Sequence, residues 1–153
     1  LDDFDFSTKK LGLFYGWIGI WLVFTQGFLV GKVSRRFSSQ KVLRISVLTL
    51  AIGVSVNVLF ENEFWFYVLA IVTALSFGMT SPNLTNLVSE KVGADRQGEI
   101  LGINQSMNSI GQALPPFIGG FLNVLDTTYP IITGGVFILL GWLIFVLAFK
   151  KIT

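Results

Sequence analysis

Five long apolar runs, separated by short polar segments, organise the chain. From Leu11 to Gly31 no charged residue interrupts the sequence. A second run, Val42 to Phe60, holds a single charge, Arg44, close enough to its end for the guanidinium to snorkel into a headgroup layer. The third, Phe64 to Ser89, opens on Phe64-Trp65-Phe66-Tyr67, side chains of the kind that sit at a membrane–water boundary. The fourth extends from Ile100 to Leu125 and the fifth from Pro130 to Phe149. An α-helix rises 1.5 Å per residue, so about 20 mostly apolar residues cross a bilayer. The pattern therefore predicts an all-α, polytopic transmembrane helix bundle. Its spans fall at 11–31, 42–60, 64–89, 100–125 and 130–149, in one domain covering 1–153.

Composition assigns the solvent. Of 153 residues 52% are apolar and 13% charged, with a mean hydropathy of +0.70. A soluble domain carries about 25% charged residues, so most of this chain's surface is expected to face lipid. There is no Cys and no His, which removes disulfides, thiolate chemistry, the commonest general base and the commonest metal ligand. The nine acids lie in loops, in the amino-terminal extension or at helix ends. No catalytic residue, metal site or cofactor is expected, and an enzyme is the least supported class. The chain opens on Leu1 without a leader-like basic and apolar segment, and is expected to be a fragment of a longer one.

Lys and Arg distribute unevenly between the connections. Lys32, Arg35, Arg36, Lys41, Arg44, Lys91, Arg96, Lys150 and Lys151 fall at one end of the spans. The other end has Lys9 and Lys10 with Asp2, Asp3, Asp5, Glu61, Glu63 and Asp126. Because cytoplasmic loops are enriched in basic residues, the amino end is expected outside and the carboxyl end in the cytoplasm, in a plasma (inner) membrane. Basic loops at that position lie against lipid headgroups, so nucleic acid is not an expected partner.

Polar residues inside spans are costly and should face protein or water. Asn104, Asn108 and Gln112 recur every four residues and share one helix face, with Gln105 and Ser109 beside it. Thr73, Ser76, Thr80 and Asn83 make a comparable stripe in the third span. In the first span Trp17, Trp21 and Thr25 lie on one face, with Gln26 adjacent. These are the candidates for a substrate-contacting wall. The same small polar groups would also serve as hydrogen-bonding glue between helices, and the tryptophans as packing anchors. Pro82, Pro115 and Pro116 each remove an amide donor within a span and are kink candidates. Gly12/Gly16 and Gly27/Gly31 have the spacing of close helix contacts.

Several of these features resemble the major facilitator superfamily. Gly31, Arg35, Arg36 and Lys41 between two spans are similar to its cytoplasmic loop signature, G-x-x-x-D-R-x-G-R-(R/K)-x. Gly31 and Arg36 match and Lys41 supplies the basic end. Arg35 stands where Asp is frequent, and Ser38 and Ser39 replace the second Gly and the next Arg. The stretch Arg96-Gln97-Gly98 through Gly102 and Asn104, continuing to Pro115-Pro116-Phe117-Ile118-Gly119-Gly120, resembles the family's eleventh helix, with Pro115 in place of a usual Gly. Ser81-Pro82-Asn83-Leu84 resembles the end of its tenth.

The resemblance implies helices eight to twelve of that fold, its carboxy-terminal half lacking the first helix. It also implies that spans three and four line a central cavity and that Gly31, Arg35, Arg36 and Lys41 form a cytoplasmic gating loop. The drug:proton antiporters are the nearest in overall look. The implied activity is secondary active transport by alternating access, as proton-coupled efflux of lipophilic compounds. The partners are then a small-molecule substrate, the bilayer, the proton and a missing amino-terminal half that carries the coupling carboxylate. Two alternatives stay open: proton-coupled import of a sugar or metabolite, and a non-transporting membrane sensor or assembly factor with a transporter-like fold.

Overall fold

Ser7 opens the first helix, its hydroxyl accepting from the Lys10 amide at 3.4 Å. In the computed structural model, which describes residues 7–60 and 62–150, five long helices follow one another. Asp2, Asp3, Asp5, Glu61 and Lys151, and the side chain of Lys150, lie outside the described residues. Helix α1 is Thr8–Ser34, with a π-helical turn at Thr25–Leu29. Helix α2 is Ser39–Leu59, its last residues tightening to a 3-10 turn. Asn62 caps α3, Glu63–Ser89, by accepting from the Phe64 amide at 2.9 Å. Helix α4, Gln97–Asn123, follows a short 3-10 turn, and α5 is Tyr129–Lys150. Each of the five helices begins before its apolar run does, because a first turn in the headgroup layer tolerates polar residues. Among the described residues there is no strand.

Four of the five helices are long and apolar enough to cross a membrane: Thr8–Ser34, Ser39–Leu59, Glu63–Ser89 and Tyr129–Phe149. Helix α4 equals α3 in length but not in apolarity. Its Asn104, Gln105, Ser106, Asn108, Ser109 and Gln112 separate it from its neighbours. Lipid satisfies the outer faces of four helices, whereas α4 needs protein or water along one side.

Helix α3 sits at the centre, packing against α1, α2 and α4, and α2 in turn packs against α5. Small residues set these crossings. A Cβ at Gly78 would come within 2.9 Å of the Thr25 methyl of α1, and one at Gly53 within 3.1 Å of the Thr73 methyl of α3. Gly135 of α5 lies against Ser55 of α2. Trp142 closes the same seam by donating its indole N–H to the Arg44 carbonyl at 2.7 Å. The glycine pairs 12/16 and 27/31, expected at close contacts, meet nothing within 4 Å. Helix α1 presents Trp17, Leu22, Thr25 and Ser34 to α3 instead, which turns those glycines away. Exposed Leu13, Val23, Phe28, Ile52, Phe117, Phe121 and Leu147 make an apolar exterior of the kind lipid requires.

Candidate functional site

Helix α4 carries the densest row of uncommitted polar groups. Asn104 is half-buried and donates to the Thr85 hydroxyl at 3.5 Å, which ties α4 to α3. Asn108 is half-buried, while Gln105, Ser109 and Gln112 are exposed. The hydroxyls of Ser106 and Ser109 turn back onto the carbonyls of Gly102 and Gln105, at 2.9 and 3.0 Å. Among the described residues the side-chain amides of Gln105, Asn108 and Gln112 take no such partner. Helix α4 continues through Pro115 and Pro116. Neither proline has an N–H, so the carbonyls of Gly111 and Gln112 lose their intrahelical donors. Free acceptors and free amides therefore gather at one level of the helix.

The stripe on α3 is placed differently. Asn83 is wholly buried; its amide donates to the Met79 carbonyl at 2.8 Å and its oxygen accepts from Ser34 of α1 at 3.4 Å. Thr80 donates to the Ser76 carbonyl at 2.8 Å, and its hydroxyl oxygen lies 3.1 Å from the Ser46 hydroxyl of α2. Thr73 bonds back to Leu69 and Ala70 and packs on Gly53, and Ser76 is buried. These four side chains meet α1 and α2, and the structure does not bring them together with the row on α4. The residue that does join the two helices, Thr85, lies off the 73–83 stripe, so its periodicity gave no signal.

On α1, Trp17 and Trp21 form an edge-to-face pair with centroids 5.7 Å apart. Phe24 and Phe28 extend it at 5.8 and 5.9 Å, giving a four-ring ladder. Trp17 donates to the Tyr67 carbonyl at 3.4 Å, whereas the Trp21 indole nitrogen is buried without a partner. Thr25, 0% exposed, donates to the Trp21 carbonyl at 2.6 Å and wedges against Gly78; Gln26 beside it is exposed. The π-helical turn here has no counterpart in the sequence reading. Pro82 sits one turn beyond this wedge and leaves the Gly78 carbonyl without its helical donor.

The basic connection between α1 and α2 is open. Gly31, Arg35, Arg36 and Lys41 are exposed, and the Lys41 ammonium stands 5.1 Å from the Phe37 ring centre. At the other end of the bundle Asp126 accepts from both the hydroxyl and the amide of Thr128, and these bonds hold its carboxyl below the usual carboxylate range.

A family model, Major Facilitator Superfamily, matches residues 1–152. The chain belongs to the major facilitator superfamily. Rat solute carrier family 22 member 18 is 27% identical over 99% of the chain and 36% of its own length. Multidrug resistance protein 2 of Bacillus subtilis is 25% identical over 90% of the chain and 34% of its own length. Quinolone resistance protein NorA of Staphylococcus aureus is 28% identical over 85% of the chain and 33% of its own length. The chain thus spans about a third of the curated relatives it matches. Major facilitators are membrane transporters, not enzymes, and this one is an integral membrane protein.

Proposed function

We propose that this major facilitator chain forms part of a secondary active transporter that exports lipophilic compounds in exchange for protons. The observation that carries the reading is α4, a span-length helix whose amides at Gln105, Asn108 and Gln112 are uncommitted. In a membrane such a face is stable only against protein or water, and a water-filled substrate path supplies the latter. Neutral amides offer donors and acceptors without a fixed charge, and the ring ladder of Trp17, Trp21, Phe24 and Phe28 offers stacking area. Together they suit an apolar molecule with a few hydrogen-bonding groups. Relatives named for multidrug and quinolone resistance support the direction.

Within this reading Asn104, Asn108, Gln112, Trp17, Trp21 and Gln26 form the substrate wall. Thr25, Thr73, Ser76, Thr80 and Asn83 support it by fixing α1 and α2 on α3. Gly31, Arg35, Arg36 and Lys41 close the cytoplasmic side, and the prolines allow α3 and α4 to bend as the two halves rock around a midplane site. The uneven basic residues support an orientation with the amino end of this chain outside and its carboxyl end in the cytoplasm, in a plasma membrane. The apolar runs 11–31, 42–60, 64–89, 100–125 and 130–149 hold no carboxylate, which supports assigning the proton-coupling acid to another part of the full-length protein.

The test is transport by the full-length protein in proteoliposomes under an imposed proton gradient. A lipophilic cation should be moved against its gradient as protons run down theirs. Asn108→Ala with Gln112→Ala should reduce the rate about tenfold, the effect of losing roughly 1.4 kcal/mol of hydrogen bonding. Uptake of a sugar with protons moving in the same direction, or no transport at all, would overturn the assignment.

A further inference from the structure

We propose that the basic end of α1 and α2 holds one anionic phospholipid, its phosphate at the first turn of α2 and an acyl chain in the cavity beneath. The segment from Gly31 to Arg44 carries Lys32, Arg35, Arg36, Lys41 and Arg44 and no acid. Among the described residues none of these five meets a carboxylate; the ion pairs lie elsewhere, at Lys10–Glu63 and Arg96–Glu99. Arg44 stands apart from the other four: its Nε is buried without a hydrogen-bond partner, its carbonyl accepts from Trp142 of α5, and it does not line the cavity beneath. Lys32, Arg35, Arg36 and Lys41 are exposed, so four unopposed cations within ten residues of chain are free to receive an anion.

The backbone adds to it. Ser38 stands at the N-cap of α2 in extended conformation, yet its hydroxyl makes no bond to the first turn. The amides of that turn therefore keep their positive end for an outside acceptor, the arrangement that receives phosphate at helix starts. Directly beside it lies a cavity of about 260 Å³ with Lys41 in its wall. Its other walls include Val33, Phe37, Ile45, Leu75 and Met79, from three successive elements.

Apolar walls with a cation and a helix start at one edge match an amphiphile with an anionic head. A free phosphate would use the cations and leave the cavity empty. A choline lipid would fill the cavity but set its own cation against Arg35 and Arg36. An anionic phospholipid satisfies both, and it is the species that basic pockets between spans collect at that membrane surface. The inference rests on the membrane placement of the helices and not on the transport reading.

The experiment is native mass spectrometry of the full-length protein, purified in detergent, stripped of lipid and titrated with phosphatidylglycerol or phosphatidylcholine. One phosphatidylglycerol should bind at least tenfold more tightly than phosphatidylcholine. Lys41→Gln should weaken it about fivefold and Arg35→Gln with Arg36→Gln about twenty-five-fold, as expected for basic side chains near an anionic surface. Lys41→Arg, which keeps the charge, should retain binding, and Ile45→Trp, which crowds the cavity, should lose it. Equal binding of the two lipids, indifference to the charge variants, or displacement by millimolar inorganic phosphate would overturn the proposal. Binding is read without transport, so a protein that moves no substrate can still pass or fail.

Discussion

Asn83 and Gln112 are both amides within span-length helices, but their surroundings give them different work. Asn83 is sealed between α3 and α1, with Ser34 and the Met79 carbonyl as partners. Asn83→Ala should destabilise the bundle by about 1 kcal/mol, within the range for hydrogen bonds between spans, read as a lowered unfolding midpoint in detergent titration. An unchanged midpoint would show that the contact contributes nothing. Asp126 offers a test outside the membrane. Its carboxyl is held low in the folded chain by the Thr128 hydroxyl and amide. The stabilisation it gives is therefore present above the unfolded value of 3.8 and lost as pH falls through the folded one. Asp126→Asn should lower the melting temperature at neutral pH, and the difference from wild type should vanish in acid. A difference independent of pH would rule the carboxylate out as its source.

At the scale of elements, the crossing of α1 and α3 is decided by one close approach. Gly78 admits the Thr25 methyl, and Thr25, the first residue of the π-helical turn, in turn donates to the Trp21 carbonyl one turn before it. Gly78→Ala would force Thr25 out of its seat and should cost about 1–3 kcal/mol, whereas Gly16→Ala, with nothing nearby, should be close to neutral. Equal thermal shifts for the two variants would contradict the packing described. Hydropathy made the helices legible, because a span must be apolar over its whole length. It could not reveal which glycines touch. The pairs 12/16 and 27/31 had the spacing, but contact depends on which face of α1 turns toward α3, and Trp17, Leu22 and Thr25 claim that face. The π-helical turn was equally invisible, since no residue type marks it and the wedge at Gly78 lies 53 positions away in sequence.

For the whole molecule, the division between glue and wall emerges only in three dimensions. Periodicity found both polar stripes and could not rank them, because period alone does not say what a face meets. The structure seats Thr73, Ser76, Thr80 and Asn83 against α1 and α2, and leaves the row on α4 without a neighbour along most of its length. The family was legible from the loop and proline motifs. Substrate and coupling were not, since the relatives are about three times longer than this chain and the proposed coupling acid lies outside it.

The most direct measurement uses the absence of native cysteine from this chain. Single cysteines at Gln105, Asn108 and Gln112 of the full-length protein would be exposed to a membrane-impermeant thiol reagent, with Phe121→Cys on the lipid-facing surface for comparison. If α4 lines a substrate path, Asn108→Cys and Gln112→Cys react readily, a transported lipophilic compound slows the reaction, and Phe121→Cys stays unreactive. Unreactive thiols at both 108 and 112, or labelling that no transported compound affects, would show that this face packs against protein and does not meet substrate.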